Sequence, residues 1–287
     1  MRTITYKTIN DYDIKADFYP ASGSNAPLLV YIHGGGLIWG SREDIRQEQV
    51  TLYNEAGYHV LSIDYRLAPE TKLPEITEDI KDVFHWLESE GKRKLDFDPE
   101  RTAVIGSSAG GYLALLTGTF TVKPKAIISL YGYGNILGEW YTKPSPHFTK
   151  MTNVPKMLVN NLIQNKPISV GPIEKRYAIY LYCRQQGKWN DYVSGMNPVL
   201  SRDKLEKLSP VNNIGADYPP SMLLHGDRDE DVPYEESVRM AEALNKAEIP
   251  NQLITIPGGK HVFDEHMEDA TVKDAFSQML KFLNKHV

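Results

Sequence analysis

Short apolar segments and longer amphipathic segments alternate along most of this chain. The apolar runs are continuous, as expected of strands that are buried on both faces; they are LLVYIH, YHVLSID, TAVIG, AIISLYG, SMLLHG and NQLITI. Helical spacing of apolar residues separates them, most clearly over 73–90 and 270–285, and a helix is also predicted over 42–56. Strands joined by helical crossovers predict an α/β fold, with a mostly parallel sheet and helices on both faces.

Two segments at the start of the chain have a different pattern. Polar and apolar residues alternate over 3–9 and 12–19, and the two segments meet at Asn10-Asp11. This pattern predicts an antiparallel hairpin that extends the parallel sheet.

A long segment between two predicted core strands interrupts the strand–helix rhythm. Residues 132–217, called the cap segment below, are rich in aromatic residues, contain five prolines over 144–172 and have a helical pattern over 173–186. Long insertions of this kind are usually functional covers or disordered loops. The aromatic content favours a folded cap inserted into one domain over 1–287.

Composition excludes several classes of function. The 287 residues are 41% hydrophobic with a formal net charge of -5, and no Lys/Arg block suggests a nucleic-acid partner. No segment approaches the ~20 uninterrupted apolar residues of a membrane helix, and the first residues lack the apolar centre of a signal peptide. The single cysteine, Cys183, suits a reducing compartment and is interpreted as a packing residue. A cytoplasmic protein is predicted.

Residues 106–110, GSSAG, fit G-x-S-x-G at a predicted strand-to-helix turn. In such a nucleophile elbow the central serine lies on a sharp, strained turn, and its neighbours must be small. The pattern selects Ser108 and leaves Ser107 as the last strand residue. The competing interpretation is an N-cap serine in a glycine-rich turn, whereas the glycine patterns of dinucleotide and phosphate loops are absent.

A second glycine-rich segment, His33-Gly34-Gly35-Gly36, directly follows a predicted buried strand. Consecutive glycines are entropically costly, and an oxyanion hole is one structure that requires bare backbone amides. Gly35 and Gly36 are the predicted donors, with Gly34 as a substitute, together with the N–H of Ala109 after the serine. The alternatives are a flexible loop for the glycines and a structural role for His33.

Acidic residues and a histidine follow the last two predicted strands. Asp227, Asp229 and Asp231 all lie where an open α/β sheet places its chemistry, and Asp231 also suits a cap for the helix that opens with Pro233. His261 follows the last strand and two glycines, whereas His266 lies in a polar stretch and is interpreted as a surface residue. The order of serine, acid and histidine is that of α/β-hydrolases.

With these motifs the sequence resembles the hormone-sensitive-lipase-like esterases of the α/β-hydrolase superfamily. The matching stretches are HGGGLIWG, DYRLAPE, GSSAGG, HGDRDEDVP and GGKHVF. The resemblance implies the α/β-hydrolase fold and selects Asp229 as the catalytic acid. Family members commonly have Asp where Ser107 stands, which indicates a related branch of acetyl-esterase or feruloyl-esterase type. Arg66 and Glu70 of DYRLAPE are interpreted as loop anchors.

The predicted activity is hydrolysis of small to medium, fairly apolar carboxylic esters by Ser108, His261 and Asp229, without cofactor or metal. Six aromatic residues of the cap segment are predicted to wall the substrate pocket: Trp140, Tyr141, Tyr177, Tyr180, Trp189 and Tyr192. Two alternatives remain, an amide hydrolase resembling arylformamidases or peptidases, and a non-catalytic ligand receptor of the same fold. A homodimer is left open.

Overall fold

The computed structural model describes residues 1–287 and contains one eight-stranded sheet with the strand order β1-β2-β4-β3-β5-β6-β7-β8. The strands are β1 (Arg2–Ile9), β2 (Tyr12–Tyr19), β3 (Ala26–Ile32), β4 (His59–Ile63), β5 (Phe97–Ser107), β6 (Ala126–Leu130), β7 (Ser221–Gly226) and β8 (Asn251–Ile256). β1 pairs with β2, and β2 with β4, in antiparallel orientation, and every other pair is parallel. The predicted α/β architecture is confirmed.

The hairpin at the start of the chain turns at the predicted residues. Asn10 and Asp11 have φ values of 46° and 66°, the left-handed conformation that a two-residue hairpin loop needs. Asn and Asp tolerate this conformation better than other non-glycine residues do, which explains why the turn forms there.

The helices are α1 (Gln47–Glu55), α2 (Leu73–Trp86), α3 (Lys92–Lys94), α4 (Ala109–Thr117), α5 (Glu139–Thr142), α6 (Lys156–Leu162), α7 (Ile173–Gln186), α8 (Trp189–Val193), α9 (Arg202–Glu206), α10 (Tyr234–Lys246) and α11 (Ala270–His286). The helix predicted over 42–56 forms only over Gln47–Glu55. Ser41 and Asp44 form a capping box around one 3₁₀ turn, the chain is extended at Ile45, and α1 starts afterwards. The helix predicted over 73–90 ends its α-helical part at Trp86 and continues as a π-helical turn, Leu87–Gly91.

Helices cover both faces of the sheet and create two hydrophobic cores. The smaller core packs α1 and α11 on one face, through side chains such as Tyr53 and Phe276. The larger core packs α2, α4 and α10 on the other face and continues into the cap segment, where Trp189 is fully buried. The cap segment is therefore attached to the sheet by a continuous apolar core.

The chain between β6 and β7 forms five short helices, α5 to α9. The longest of them, α7, has the bounds that the sequence pattern predicts. None of the helices in the structure combines the length and the apolar character needed to cross a membrane.

Candidate active site

Ser108 lies at the turn between β5 and α4. Its φ and ψ of 54° and -119° fall in a region that residues with a side chain rarely adopt. A Cβ on Gly106 would overlap the backbone of Gly110, and a Cβ on Gly110 would overlap the backbone of Ile32. The crowded glycines are thus required by close backbone approach. Ser108 occupies the N-cap position of α4, but its side chain makes no capping hydrogen bond and so remains available for other contacts.

The structure brings Ser108, His261 and Asp229 into one hydrogen-bonded chain. His261 Nε2 lies 3.0 Å from Ser108 Oγ, and His261 Nδ1 lies 2.6 Å from Asp229 Oδ2. The three residues follow β5, β8 and β7 and meet at the carboxyl edge of the sheet. An imidazole between a hydroxyl and a carboxylate is the arrangement that activates a serine.

The loop that carries Asp229, residues 227–233, holds this carboxylate with several donors. Asp229 Oδ1 accepts the backbone N–H groups of Asp231 at 2.8 Å and Val232 at 2.9 Å. His225 Nε2 lies 3.1 Å from Asp229 Oδ2 and 3.0 Å from the Val232 carbonyl. Since both neighbours are acceptors, this nitrogen carries the proton, and Nδ1 accepts the Ser237 hydroxyl at 2.7 Å. Sequence reasoning missed His225, although it is the histidine of HGD.

The environment shifts the two ionisable groups in directions that suit a base and its partner. Burial raises the pKa of Asp229, but hydrogen bonds from His225 and His261 outweigh burial and hold that pKa well below its usual range. Burial lowers the pKa of His261, but the hydrogen bond to Asp229 and the charges of Asp231 and Asp229 raise it above its ordinary value. Asp229 therefore remains ionised, and the imidazole takes up a proton readily.

The carbonyl groups of the glycine-rich loop after β3 are engaged in hydrogen bonds within the protein. The Gly34 carbonyl accepts from Tyr65 Oη at 3.1 Å, and the Gly36 carbonyl accepts from Trp189 Nε1 at 3.1 Å. The Gly35 carbonyl accepts the N–H groups of two following residues. No hydrogen bond uses the N–H groups of Gly35 and Gly36. These two amides are free to bind an anion.

Ala109 is the first residue of α4, so its N–H has no acceptor within the helix. His33 has a structural environment: its ring stacks on Tyr65 with centroids 4.3 Å apart, and its Nδ1 lies 2.9 Å from the Gly34 carbonyl. Burial lowers the pKa of His33 to about 4, which keeps the ring neutral at physiological pH.

A cavity of about 580 Å³ opens beside Ser108 and His261. Its walls include the glycine loop, Trp39, Tyr180 and the segment 170–174 of the cap. Of the six cap aromatics expected to wall the pocket, only Tyr180 lines this cavity. The expectation is wrong for the other five, which pack against protein side chains. Tyr141 stacks on Trp140 and on Trp189, with centroids 3.6 and 4.1 Å apart, whereas Tyr177 packs against Trp39 and Tyr192 against Tyr182.

Polar groups that sequence reasoning missed line one wall of the cavity. Tyr31 Oη lies 3.2 Å from Ser107 Oγ, and Tyr131 Oη donates to Asp264 Oδ1 at 2.6 Å. The Tyr131 ring also packs edge-on against His261 at 4.8 Å. Members of the resembled family commonly have Asp at the position before the nucleophile, where this chain has Ser107. Here a carboxylate of the cavity wall belongs to Asp264, on the loop between β8 and α11 that carries His261 (the His261 loop). Of these polar groups, only Tyr131 could have been suspected from the sequence, because it directly follows strand β6.

The remaining acids near the site have distinct partners. Asp227 Oδ1 accepts the Gly258 N–H at 2.7 Å and so shapes the loop that leads to His261. Asp231 does not cap α10, whose N-cap residue is Pro233. The Asp231 carboxylate instead accepts from Arg184 and Tyr180 of the cap segment. Asp231 thus lines the cavity and does not cap α10.

The other sequence-based interpretations concern residues outside the cavity. Arg66 pairs with Asp79, and Glu70 pairs with Arg176, so both are loop anchors as predicted. His266 is exposed, as predicted. Cys183 is buried and unpaired, in agreement with its interpretation as a packing residue.

The model of the BD-FAE family matches residues 16–244, well over half of the chain. The chain belongs to the BD-FAE family. Its fold is that of solved α/β-hydrolases, including a superfamily protein from Enterococcus faecalis that is 25% identical, with a TM-score of 0.79 and coverage of 99% of this chain and 98% of that one. The acetyl ester-xyloside bifunctional hydrolase from Caldicellulosiruptor lactoaceticus is 22% identical, with a TM-score of 0.72 and coverage of 99% and 96%.

Curated relatives of this BD-FAE family member are larger. The non-reducing polyketide synthase pkbA of Emericella nidulans is 29% identical over 92% of this chain, which spans 13% of the synthase. The similarity is thus to one portion of those synthases.

Proposed function

We propose that this BD-FAE family member is a serine esterase that cleaves carboxylic esters through an acyl-enzyme intermediate. The observation that carries the proposal is the hydrogen-bonded chain from Ser108 through His261 to Asp229. Ser108 and His261 line the same cavity as Gly35 and Gly36, whose amides make no hydrogen bond. A hydroxyl is a weak nucleophile at neutral pH, and this chain supplies the base that it needs.

In the first half of the reaction, Ser108 Oγ attacks the ester carbonyl and His261 Nε2 takes the hydroxyl proton. Asp229 holds Nδ1–H and stabilises the imidazolium that forms. The carbonyl oxygen becomes negative in the tetrahedral intermediate, where the N–H groups of Gly35, Gly36 and Ala109 bind it. His261 then donates its proton to the leaving alcohol as the ester C–O bond breaks.

In the second half, water attacks the acyl-serine and gives its proton to His261 Nε2. A second tetrahedral intermediate forms at the same amides and collapses, which releases the carboxylic acid and returns the proton to Ser108. No redox step or external proton carrier is needed, so the residues of the site account for the whole reaction.

The substrate class follows from the walls of the cavity. Hydroxyl groups of Tyr31, Ser107 and Tyr131 and the carboxylate of Asp264 lie along one wall. With five of the six predicted aromatics outside the cavity, an ester with a short acyl group and a polar alcohol fits this lining better than a strongly apolar one. We include a cytoplasmic location in the proposal, since the only thiol of the chain is free.

The proposal is tested with Ser108→Ala, assayed against p-nitrophenyl acetate, butyrate and octanoate. We expect kcat/KM to fall by about 10⁴-fold or more, because the nucleophile is lost. Ser107→Ala is the matched control, since it removes a neighbouring hydroxyl that the chemistry does not use; we expect a loss of less than about tenfold. Equal activity of Ser108→Ala and wild type would refute the proposal.

Two further assays separate the alternatives. A fluorophosphonate probe labels only an activated serine, so labelling of wild type and not of Ser108→Ala excludes a non-catalytic receptor. A panel of aryl formamides beside the esters distinguishes the amide-hydrolase reading, which predicts higher kcat/KM on the formamides.

The pH dependence of kcat/KM has a definite sign. The base must be neutral in the free enzyme, so activity rises with pH as His261 loses its proton. Because the pKa of His261 is raised by Asp229 and Asp231 against the effect of burial, we expect the midpoint of this rise above pH 6.5. A pH–rate profile between pH 5 and 9 measures it, and a midpoint below pH 6 would contradict the assignment of His261.

A further inference from the structure

An ion pair between a buried arginine and a partly exposed aspartate joins the cap segment to the loop of Asp229. Arg184, on α7, is 2% exposed and donates from one guanidinium nitrogen to Asp231 Oδ1 and from the other to the Asp231 carbonyl at 2.8 Å. Tyr180, one turn earlier on the same helix, donates its hydroxyl to Asp231 Oδ1 at 2.5 Å. Both contacts join the cap segment to residues 227–233, the loop that carries Asp229 and is called the acid loop below.

The cap segment holds this arginine in a fixed position. The guanidinium carbon lies between 4.6 and 5.4 Å from the centroids of four aromatic rings, those of Trp140, Tyr141, Phe148 and Tyr180. Aromatic faces attract a cation, and such packing leaves a long side chain little freedom. Three aromatic residues of the cap segment that do not line the cavity, Trp140, Tyr141 and Phe148, therefore surround one charge.

Asp231 also approaches the proposed base. Its second carboxylate oxygen, Oδ2, lies 4.0 Å from His261 Nε2, the nitrogen that faces Ser108. This is a different nitrogen from the one that binds Asp229. A negative charge at this place favours the protonated imidazole, and the guanidinium behind it reduces that effect.

We propose that Asp231 and Arg184 act as a pair of positioning residues that sets how readily His261 accepts the proton of Ser108. This inference rests on the proposed esterase function. Asp231 alone would stabilise the imidazolium, so His261 would give its proton less readily to the leaving alcohol. Arg184 limits that stabilisation, so the cap segment adjusts the base without touching it.

The charged and titratable groups around His261 support opposite effects of the two partners. They are Asp229 and Asp231 on the acid loop, with His225 behind Asp229; Arg184 on the cap segment; Tyr131 after β6; and Asp264 and Glu265 on the His261 loop, with Arg46 paired to Glu265. Of these, Asp231 raises the pKa of His261 and Arg184 lowers it. A residue with only a packing role would not shift the titration of the base.

The test is the pH dependence of kcat/KM and of fluorophosphonate labelling for Asp231→Asn and Arg184→Met. Asp231→Asn removes the negative charge and leaves Arg184 unopposed, so we expect the acid limb to move to lower pH by about half a unit or more. Arg184→Met leaves the Asp231 carboxylate without its counter-charge. We expect the acid limb of this variant to move to higher pH.

Arg176→Met is the matched control. Arg176 is a second buried arginine on α7, 3% exposed, and it pairs with Glu70 without a hydrogen bond or ion pair to Asp231 or His261. We expect this variant to lose stability while its acid limb stays at the wild-type pH. Thermal melts identify any variant that fails to fold, and Arg184→Lys, which keeps the charge, then replaces Arg184→Met and should lie between Met and wild type.

Shifts of Asp231→Asn and Arg184→Met in opposite directions support the inference. Unmoved acid limbs, or shifts in one direction for both, overturn it while wild type remains active and labelled. An inactive, unlabelled wild type would instead refute the proposed function, so the two failures are distinguishable.

Discussion

The carboxyl edge of the sheet and the cap segment contribute to the site in different ways. Ser108, Asp229 and His261 each lie within a few residues of a strand end, where parallel pairing brings distant parts of the chain together. The cap segment lines the cavity with residues 170–174 and Tyr180, and Arg184 connects it to Asp231. The sheet edge supplies the reacting groups, whereas the cap segment adjusts and encloses them.

This difference predicts which substitutions abolish turnover. The largest effect after loss of the nucleophile is expected for Asp229→Asn. The amide cannot hold the tautomer of His261 that has its proton on Nδ1, and we expect kcat to fall by about 10⁴-fold. Asp227→Asn is the control from the same loop, since Asp227 shapes a turn and does not contact His261; it should lose less than about tenfold. Similar losses of kcat for Asp229→Asn and Asp227→Asn would contradict a specific catalytic role of Asp229 at the sheet edge.

The positions at the sheet edge were predictable from sequence because each depends on a local rule. Ser108 needs small neighbours on a strand-to-helix turn, and His261 and Asp229 need only to follow a strand. The parallel sheet then determines which loops meet. Asp229 was the exception among these, because three acids satisfied the rule and the choice among them came from a family resemblance.

The cap segment was predictable only in outline. The pattern of α7 gave its bounds, and the aromatic content indicated a folded insertion. An aromatic side chain must be covered, but its sequence neighbours do not reveal whether substrate or protein covers it. Tyr141 and Trp189 stack on each other, and Arg184 fills a cage of rings, since packing between irregular segments decides these contacts. The ion pair with Asp231 joins residues 47 positions apart and leaves no local signal.

A second prediction concerns the free amides of the glycine loop. Gly36 has a φ of 62°, and an added Cβ would lie 2.7 Å from the Tyr180 ring. Gly36→Ala should displace the loop and reduce kcat by about 10²–10³-fold, as expected for a lost oxyanion donor. Gly57→Ala is the control, because Gly57 also has a positive φ but has open space around it. It should reduce thermal stability and leave kcat near the wild-type value. A reversed order would show that backbone strain, and not the oxyanion hole, explains the loss.

A smaller effect is expected where the cap segment orients the glycine loop. Trp189 Nε1 donates to the Gly36 carbonyl at 3.1 Å, and this contact links the cap segment to the glycine loop. Trp189→Phe keeps an aromatic ring and removes the donor, so we expect kcat to fall by about fivefold, equivalent to one hydrogen bond of about 1 kcal/mol. Trp86→Phe, in α2, tests whether any buried tryptophan has the same effect. Equal kcat values for Trp189→Phe and Trp86→Phe would show that the cap segment does not orient the glycine loop.

The smallest effect is expected at the aromatic residues that do not line the cavity. Tyr192 packs edge-on against Tyr182 at 5.7 Å and is absent from the walls beside Ser108. Tyr192→Leu should therefore change KM for p-nitrophenyl butyrate by less than about twofold. Tyr180→Phe is the contrasting variant: it keeps the ring but loses the hydroxyl bound to Asp231, so it should move the acid limb of the pH profile of kcat/KM. A large rise of KM in Tyr192→Leu with unchanged thermal stability would mean that substrate reaches beyond the cavity and that the aromatic surface of the cap segment recognises it. Unchanged KM confines recognition to the polar walls between the glycine loop and the His261 loop.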